Sequence, residues 1–280
     1  MSEPLVLLLV YAAAIALASV AGGALPNRVR MTHTRMQLAM SLVSGLMLGV
    51  AFFHLLPHAI VLDGSPAAID RASGWLVAGL VAMFLLLRTF HFHQHEFDGV
   101  PGHGAPAPVA AAHGLSGLGV ALGLGLHTLI DGIALGAAVS GGEHGGGLLG
   151  AGVFLAVLLH KPLDAMSITA LMRSGGWGSA ATARVNVAFA ALCPAAALLF
   201  FLGLDSLSGD PEPLLAAALA FAAGAFVCIA LSDLLPEVQF HSHDRVKLTL
   251  VFLAGIGLAW LIGAFEPAGA HDLMHGRAQR

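Results

Sequence analysis

Apolar residues run along this chain in long uninterrupted stretches, with no period-2 alternation and no polar face every three or four residues. About 20 apolar residues are needed for a helix to cross roughly 30 Å of hydrocarbon. Eight stretches meet that length, at about 4–24, 37–58, 73–91, 115–139, 148–172, 180–203, 214–236 and 247–265. The expectation is an all-α membrane protein, one transmembrane domain over residues 1–280, with eight spans. The first stretch lacks a basic leader and has its positive charges after it, so it reads as a retained helix rather than a cleaved signal.

Composition agrees. The chain is 58% hydrophobic and 10% charged, where a soluble domain carries about 25% charged residues. Its mean hydropathy is +0.86. No basic cluster exists to grip a phosphate backbone, so nucleic acid is excluded as a partner. Cys193 and Cys228 both fall in apolar stretches, which argues against a structural disulfide.

Basic residues sort by side. Arg28, Arg30, Arg35, Arg88, Arg173, Arg184, Arg245 and Lys247 lie in or beside the connections after spans 1, 3, 5 and 7, against Arg71 in the alternate connections and Arg277 and Arg280 in the tail. Positive charge stays on the cytoplasmic side. Both termini are then outside, and a bacterial chain would sit in the inner (plasma) membrane. The connection at about 92–114 carries His91, His93, His95, His103 and His113 among Gly and Pro. It reads as a cytoplasmic histidine-rich loop that can buffer metal, with His241 and His243 on the same side.

The departures from apolarity carry the chemistry. His127-Thr128-Leu129-Ile130-Asp131 and His160-Lys161-Pro162-Leu163-Asp164 lie near the centres of spans 4 and 5. Residues i and i+4 share a helix face. Ionisable groups at membrane depth are costly and mark a site or a pathway. The two spans run antiparallel, so His127 should be level with Asp164, and Asp131 with His160. Two imidazoles and two carboxylates suit Zn²⁺ in four-coordination, and also Fe²⁺ or Mn²⁺ with added waters. Lys161 is expected nearby, its ammonium offsetting part of the negative charge. Thr128 is expected to bond within its own helix, and Cys193, before Pro194, to serve packing. Binding should be acid-sensitive, because the ligands must be deprotonated.

Ser44–Ala59 (SGLMLGVAFFHLLPHA) and Ala223–Val238 (AGAFVCIALSDLLPEV) share a Gly and an x-Leu-Leu-Pro ending. They cross the membrane in opposite senses, as spans 4 and 5 do. The expectation is a 3+2+3 inverted repeat, with spans 1–3 mirrored by 6–8, the plan of many secondary transporters. His54 and Asp233, at matching positions, would line entry and exit routes or pair structurally. Pro57 is expected to free the carbonyl of Phe53 and kink span 2.

With HTLIDG (127–132), HKPLDA (160–165), HLLPHA (54–59) and LSDLLPE (231–237), the chain resembles the ZIP (Zrt/Irt-like) family of divalent-metal transporters. The resemblance covers all eight spans. It implies the 3+2+3 fold, a histidine-rich loop between spans 3 and 4, and zinc or a related ion (Fe²⁺, Mn²⁺, Cd²⁺) moving toward the cytoplasm. It also implies that His127, Asp131, His160 and Asp164 are the metal ligands. Some members hold a second metal through polar or acidic residues at the positions of Thr128, Lys161 and Cys193. A lysine there argues for one metal. The competing reading is an intramembrane zinc hydrolase, for which no open coordination position is evident. A homodimer is compatible with the sequence.

Overall fold

In lipid every backbone N–H and C=O must be satisfied within the chain, so an apolar run of span length folds as a helix. A computed structural model describes residues 2–25, 32–90, 110–141, 149–204, 210–234 and 245–265. Among these residues eight helices are long and apolar enough to cross a membrane. They are Glu3–Ala24 (span 1), Thr34–Asp63 (span 2), Ala68–Thr89 (span 3), Ala121–Gly141 (span 4), Gly150–Ser174 (span 5), Ser179–Leu204 (span 6), Glu212–Ser232 (span 7) and Arg245–Ala264 (span 8). By length and composition these helices make the chain an integral, multi-pass membrane protein.

Three of the predicted boundaries move by five residues, among them the start of span 3, which is Ala68. The helix carrying span 4 begins at Ala110, so the last residues of the predicted 92–114 loop are helical. Span 2 extends from Thr34 to Asp63, past Pro57. The polar turn after it explains the stop. Gly64 takes the left-handed conformation (φ 58°), and its N–H donates to the Ile60 carbonyl at 3.2 Å. Asp63 Oδ1 then accepts from the Ser65 hydroxyl at 2.5 Å and from Arg71 at 2.6 Å. Arg71, one of the basic residues that break the charge bias, is therefore paired. His91, His93, His95, His241 and His243 lie outside the described residues.

Spans 2, 4 and 7 are the most enclosed, and spans 3 and 8 the most exposed. The large apolar residues on the outside, such as Leu17, Leu199, Leu250 and Trp260, are what a lipid-facing surface requires. Span 2 packs on span 8 and span 3 on span 7, while span 1 packs on spans 5 and 6, and span 4 on span 6. Small residues set these contacts. A side chain on Gly45 would collide with the Phe252 backbone of span 8, and one on Gly224 with the Leu76 backbone of span 3. Such close approach is how helices associate without a hydrophobic drive between them.

The helix of span 2 changes form just ahead of its proline. Residues Ala51–Leu55, just before it, form a π turn, which admits an extra residue into the helix. Span 7 has a second π turn, Ala230–Leu234, at the matching place in the Ser44/Ala223 alignment and just ahead of Pro236. Neighbouring spans supply hydrogen bonds there. The Ser44 hydroxyl donates to the Ala230 carbonyl at 2.9 Å, and a ring nitrogen of His54, Nε2, lies 2.8 Å from the Ala259 carbonyl of span 8.

Candidate metal centre

His127 and Asp131 are one helical turn apart on span 4, and His160 and Asp164 one turn apart on span 5. The ring nitrogen His160 Nε2 lies 3.2 Å from Asp131 Oδ2, and His127 Nε2 lies 3.6 Å from Asp164 Oδ2. Within each helix the separations are 3.4 Å for His127–Asp131 and 3.9 Å for His160–Asp164. Each histidine is thus level with the aspartate of the other span, as the antiparallel arrangement predicts. One donor atom from each residue falls within 4.8 Å of all the others. Ligands about 2.0–2.1 Å from a tetrahedral Zn²⁺ would stand about 3.4 Å apart. The four donors therefore need to move little to close on one ion.

The centre is nearly sealed. Asp131 is fully buried, and the side chains of His127 and His160 are 4% and 3% exposed. Asp164, at 16%, has the most access. Among the described residues Asp131 Oδ1 and His127 Nδ1 are buried without a hydrogen-bond partner. His160 Nδ1 is 2.7 Å from the Ala156 carbonyl, a contact that orients the ring and leaves Nε2 for the centre. Pro162, in the next turn, packs its backbone against Gly22 of span 1, so span 1 comes within backbone contact of the metal-centre helix.

Lys161 lies inside the cluster. It is 1% exposed, and its Nζ forms an ion pair with Asp131 Oδ2 and another, at 2.9 Å, with Asp164 Oδ2. The same nitrogen is 3.4 Å from His160 Nε2. Lys161 thus stands closer to both carboxylates than adjacency in sequence required.

The other predicted residues fall as follows. Thr128 Oγ1 donates to the Leu124 carbonyl at 2.8 Å, one turn back in its own helix. Cys193 is 1% exposed, and its carbonyl packs where a Gly132 side chain would otherwise sit. His54 is buried between spans 5 and 8, its ring against Gly152 and Gly263. Asp233 lies in the π turn of span 7, and its side chain is outside the described residues.

Two residues near the centre escaped the sequence reading. Phe189 of span 6 presents its ring 6.0 Å from Lys161 Nζ. It also belongs to a small apolar cluster with Leu124, Ala165 and Ile168, next to the His127–Asp164 level. Asn186, one turn earlier on span 6, is buried and donates from Nδ2 to the Val20 carbonyl of span 1 at 3.0 Å. An amide in an apolar span was a visible signal for Asn186. An apolar ring among apolar neighbours gave none for Phe189.

No curated protein matches this chain. The family model described as ZIP Zinc transporter matches residues 93–263, more than half of the chain and all of spans 4 to 7. The family consists of divalent-metal transporters rather than enzymes, which removes the hydrolase reading. The chain belongs to the ZIP zinc transporter family.

Proposed function

We propose that this protein carries one Zn²⁺ at a time toward the cytoplasm by alternating access through a centre made of His127, Asp131, His160 and Asp164. The observation that carries this reading is the convergence of those four side chains, two from each of two antiparallel spans, at membrane depth. Fe²⁺, Mn²⁺ and Cd²⁺ have compatible coordination chemistry and are competing cargoes. Two carboxylates match the charge of one divalent ion. Lys161, already paired with both, leaves no anionic capacity for a second.

The direction rests on topology. With the basic connections after spans 1, 3, 5 and 7 in the cytoplasm, both termini lie outside, and a bacterial chain lies in the inner membrane. Eight basic residues favour this orientation, against three, Arg71, Arg277 and Arg280. His127 and Asp164 are then the cytoplasmic pair and Asp131 and His160 the outer pair. Greater exposure at Asp164 than at Asp131 supports opening toward the cytoplasm. The histidines at 91, 93, 95, 241 and 243 would receive the released metal.

A 3+2+3 inverted repeat is supported by the packing. Exchanging spans 1–3 with 6–8, and 4 with 5, turns the span 2–8 contact into the 7–3 contact and the 4–6 contact into the 5–1 contact, and all four are present. The two π turns and the pair Gly45 and Gly224 obey the same exchange. We take residues 1–280 as one such domain, and a homodimer is compatible with it.

The test is metal uptake by proteoliposomes containing the full chain, across a panel of Zn²⁺, Fe²⁺, Mn²⁺ and Cd²⁺. Uptake that saturates, prefers Zn²⁺ and is abolished in an Asp131→Ala, Asp164→Ala double variant is expected. Wild-type flux in that variant would remove the centre from the pathway.

A further inference from the structure

Resting on that reading of the centre, we propose that Lys161 is a tethered substitute for the cargo. Its ammonium fills the space between Asp131 and Asp164 when no metal is there, is displaced when metal binds, and returns to let the empty carrier reorient without a second cation.

Position is the first argument. The oxygens that Lys161 contacts, Asp131 Oδ2 and Asp164 Oδ2, are the ones that close on His127 and His160. An ammonium on those atoms and a divalent ion on those atoms exclude each other. The second argument is charge. Without Lys161 the empty centre would hold two unpaired carboxylates, one with no exposure at all and one 16% exposed. Uncompensated charge at membrane depth is costly. A carrier that must bring its empty site back across the membrane meets that cost on every cycle. A cation covalently held beside the ligands halves that charge, with no need for a proton or a second metal on the return.

The third argument is that the ammonium has somewhere to go. Lysine hangs its charge on a flexible four-carbon stem. The Phe189 ring, 6.0 Å from Nζ, presents a face on which a cation is stabilised. From there Lys161 remains close enough to repel the bound ion. Cargo is then held less tightly than by four ligands alone, as release requires.

The experiment compares two transport modes in proteoliposomes containing the full chain, with Zn²⁺ as the probe. Net uptake into zinc-free vesicles requires return of the empty carrier, and exchange against internal Zn²⁺ does not. For the wild type the two rates should agree within a few-fold. In Lys161→Gln the purified protein should bind Zn²⁺ at least about tenfold more tightly, since a like charge a few ångströms from the ion is gone. Net uptake should fall at least about tenfold further than exchange, and Lys161→Arg should restore the ratio.

The proposal is overturned if Lys161→Gln leaves the ratio of net uptake to exchange unchanged, or binds Zn²⁺ more weakly than the wild type. A wild-type protein that exchanges but shows no net uptake also overturns it, and that measurement does not depend on how any variant folds. The Asp131→Ala, Asp164→Ala variant separates the two levels. If it retains binding and exchange, the centre itself has been misread. If it loses both while Lys161→Gln keeps the wild-type ratio, only the tether is wrong.

Discussion

Asp131→Asn is the sharpest single change available. The amide keeps the size and shape of the carboxylate and removes one unit of charge from a fully buried position. In the wild type two carboxylates and one ammonium leave the empty centre at one net negative charge, and the substitution brings it to zero. A bound divalent ion would then face only Asp164, for which it competes with Lys161. A unit charge pair about 4 Å apart in an effective dielectric near 20 interacts by about 4 kcal/mol, so a divalent ion loses roughly 8 kcal/mol of attraction. Burying a carboxylate carries a desolvation cost that the amide escapes, so part of that loss is offset. If half survives, the net loss is about 4 kcal/mol, or roughly 10³-fold in affinity. The measurement is calorimetric titration of purified protein with Zn²⁺, alongside initial uptake rates in vesicles. Uptake at low Zn²⁺ should be undetectable, and raising Zn²⁺ should recover part of it. A dissociation constant within tenfold of the wild type would refute the reasoning, because the full burial of Asp131 and its contact with His160 would then be irrelevant to the ion.

Three further substitutions separate binding from support. Thr128→Val should leave Zn²⁺ affinity within a few-fold of wild type, since its hydroxyl bonds only to the Leu124 carbonyl, and removing that bond costs about 1 kcal/mol of stability in a melting assay. His54→Leu removes the contact with the Ala259 carbonyl, which stays within its own helix, costing about 1 kcal/mol. It should lower the melting temperature and spare the Zn²⁺ dissociation constant, and the opposite pattern would place His54 on the metal route. Gly224→Leu drives a side chain into the Leu76 backbone and should destabilise by about 1–3 kcal/mol or more, read as a lower melting temperature with metal affinity retained in the folded fraction.

The sequence is unusually informative about the spans because lipid allows the backbone few solutions. An apolar run of span length has to be a helix, so the eight spans follow from hydropathy alone, with errors at the ends. Those errors have local causes. Span 2 runs on to Asp63 because Pro57 is accommodated in its helix, and it stops where Gly64 turns left-handed. The start of the span 4 helix at Ala110 was hidden by the Gly- and Pro-rich composition just before it.

The His127–Asp131 and His160–Asp164 pairs were legible for a related reason. Charge at membrane depth is too costly to be incidental, and helical period with antiparallel direction then dictates which residue meets which. The π turns were not legible. A proline predicts a missing hydrogen bond, but whether the helix bends or takes in an extra residue depends on what the neighbouring spans offer. Here they offer a Ser44 hydroxyl to Ala230 and an Ala259 carbonyl to His54. Phe189 was hidden for the opposite reason, since nothing in an apolar sequence distinguishes the ring that faces a cation from the rings that face lipid. Lys161 falls between these cases. Its position after His160 placed it near the centre, and only the fold shows that it contacts both carboxylates. That contact matters most for mechanism. In the mechanism we propose, it turns a counter-charge inferred from sequence into a competitor for the cargo's ligands, so that binding strength and the return of the empty carrier depend on the same side chain.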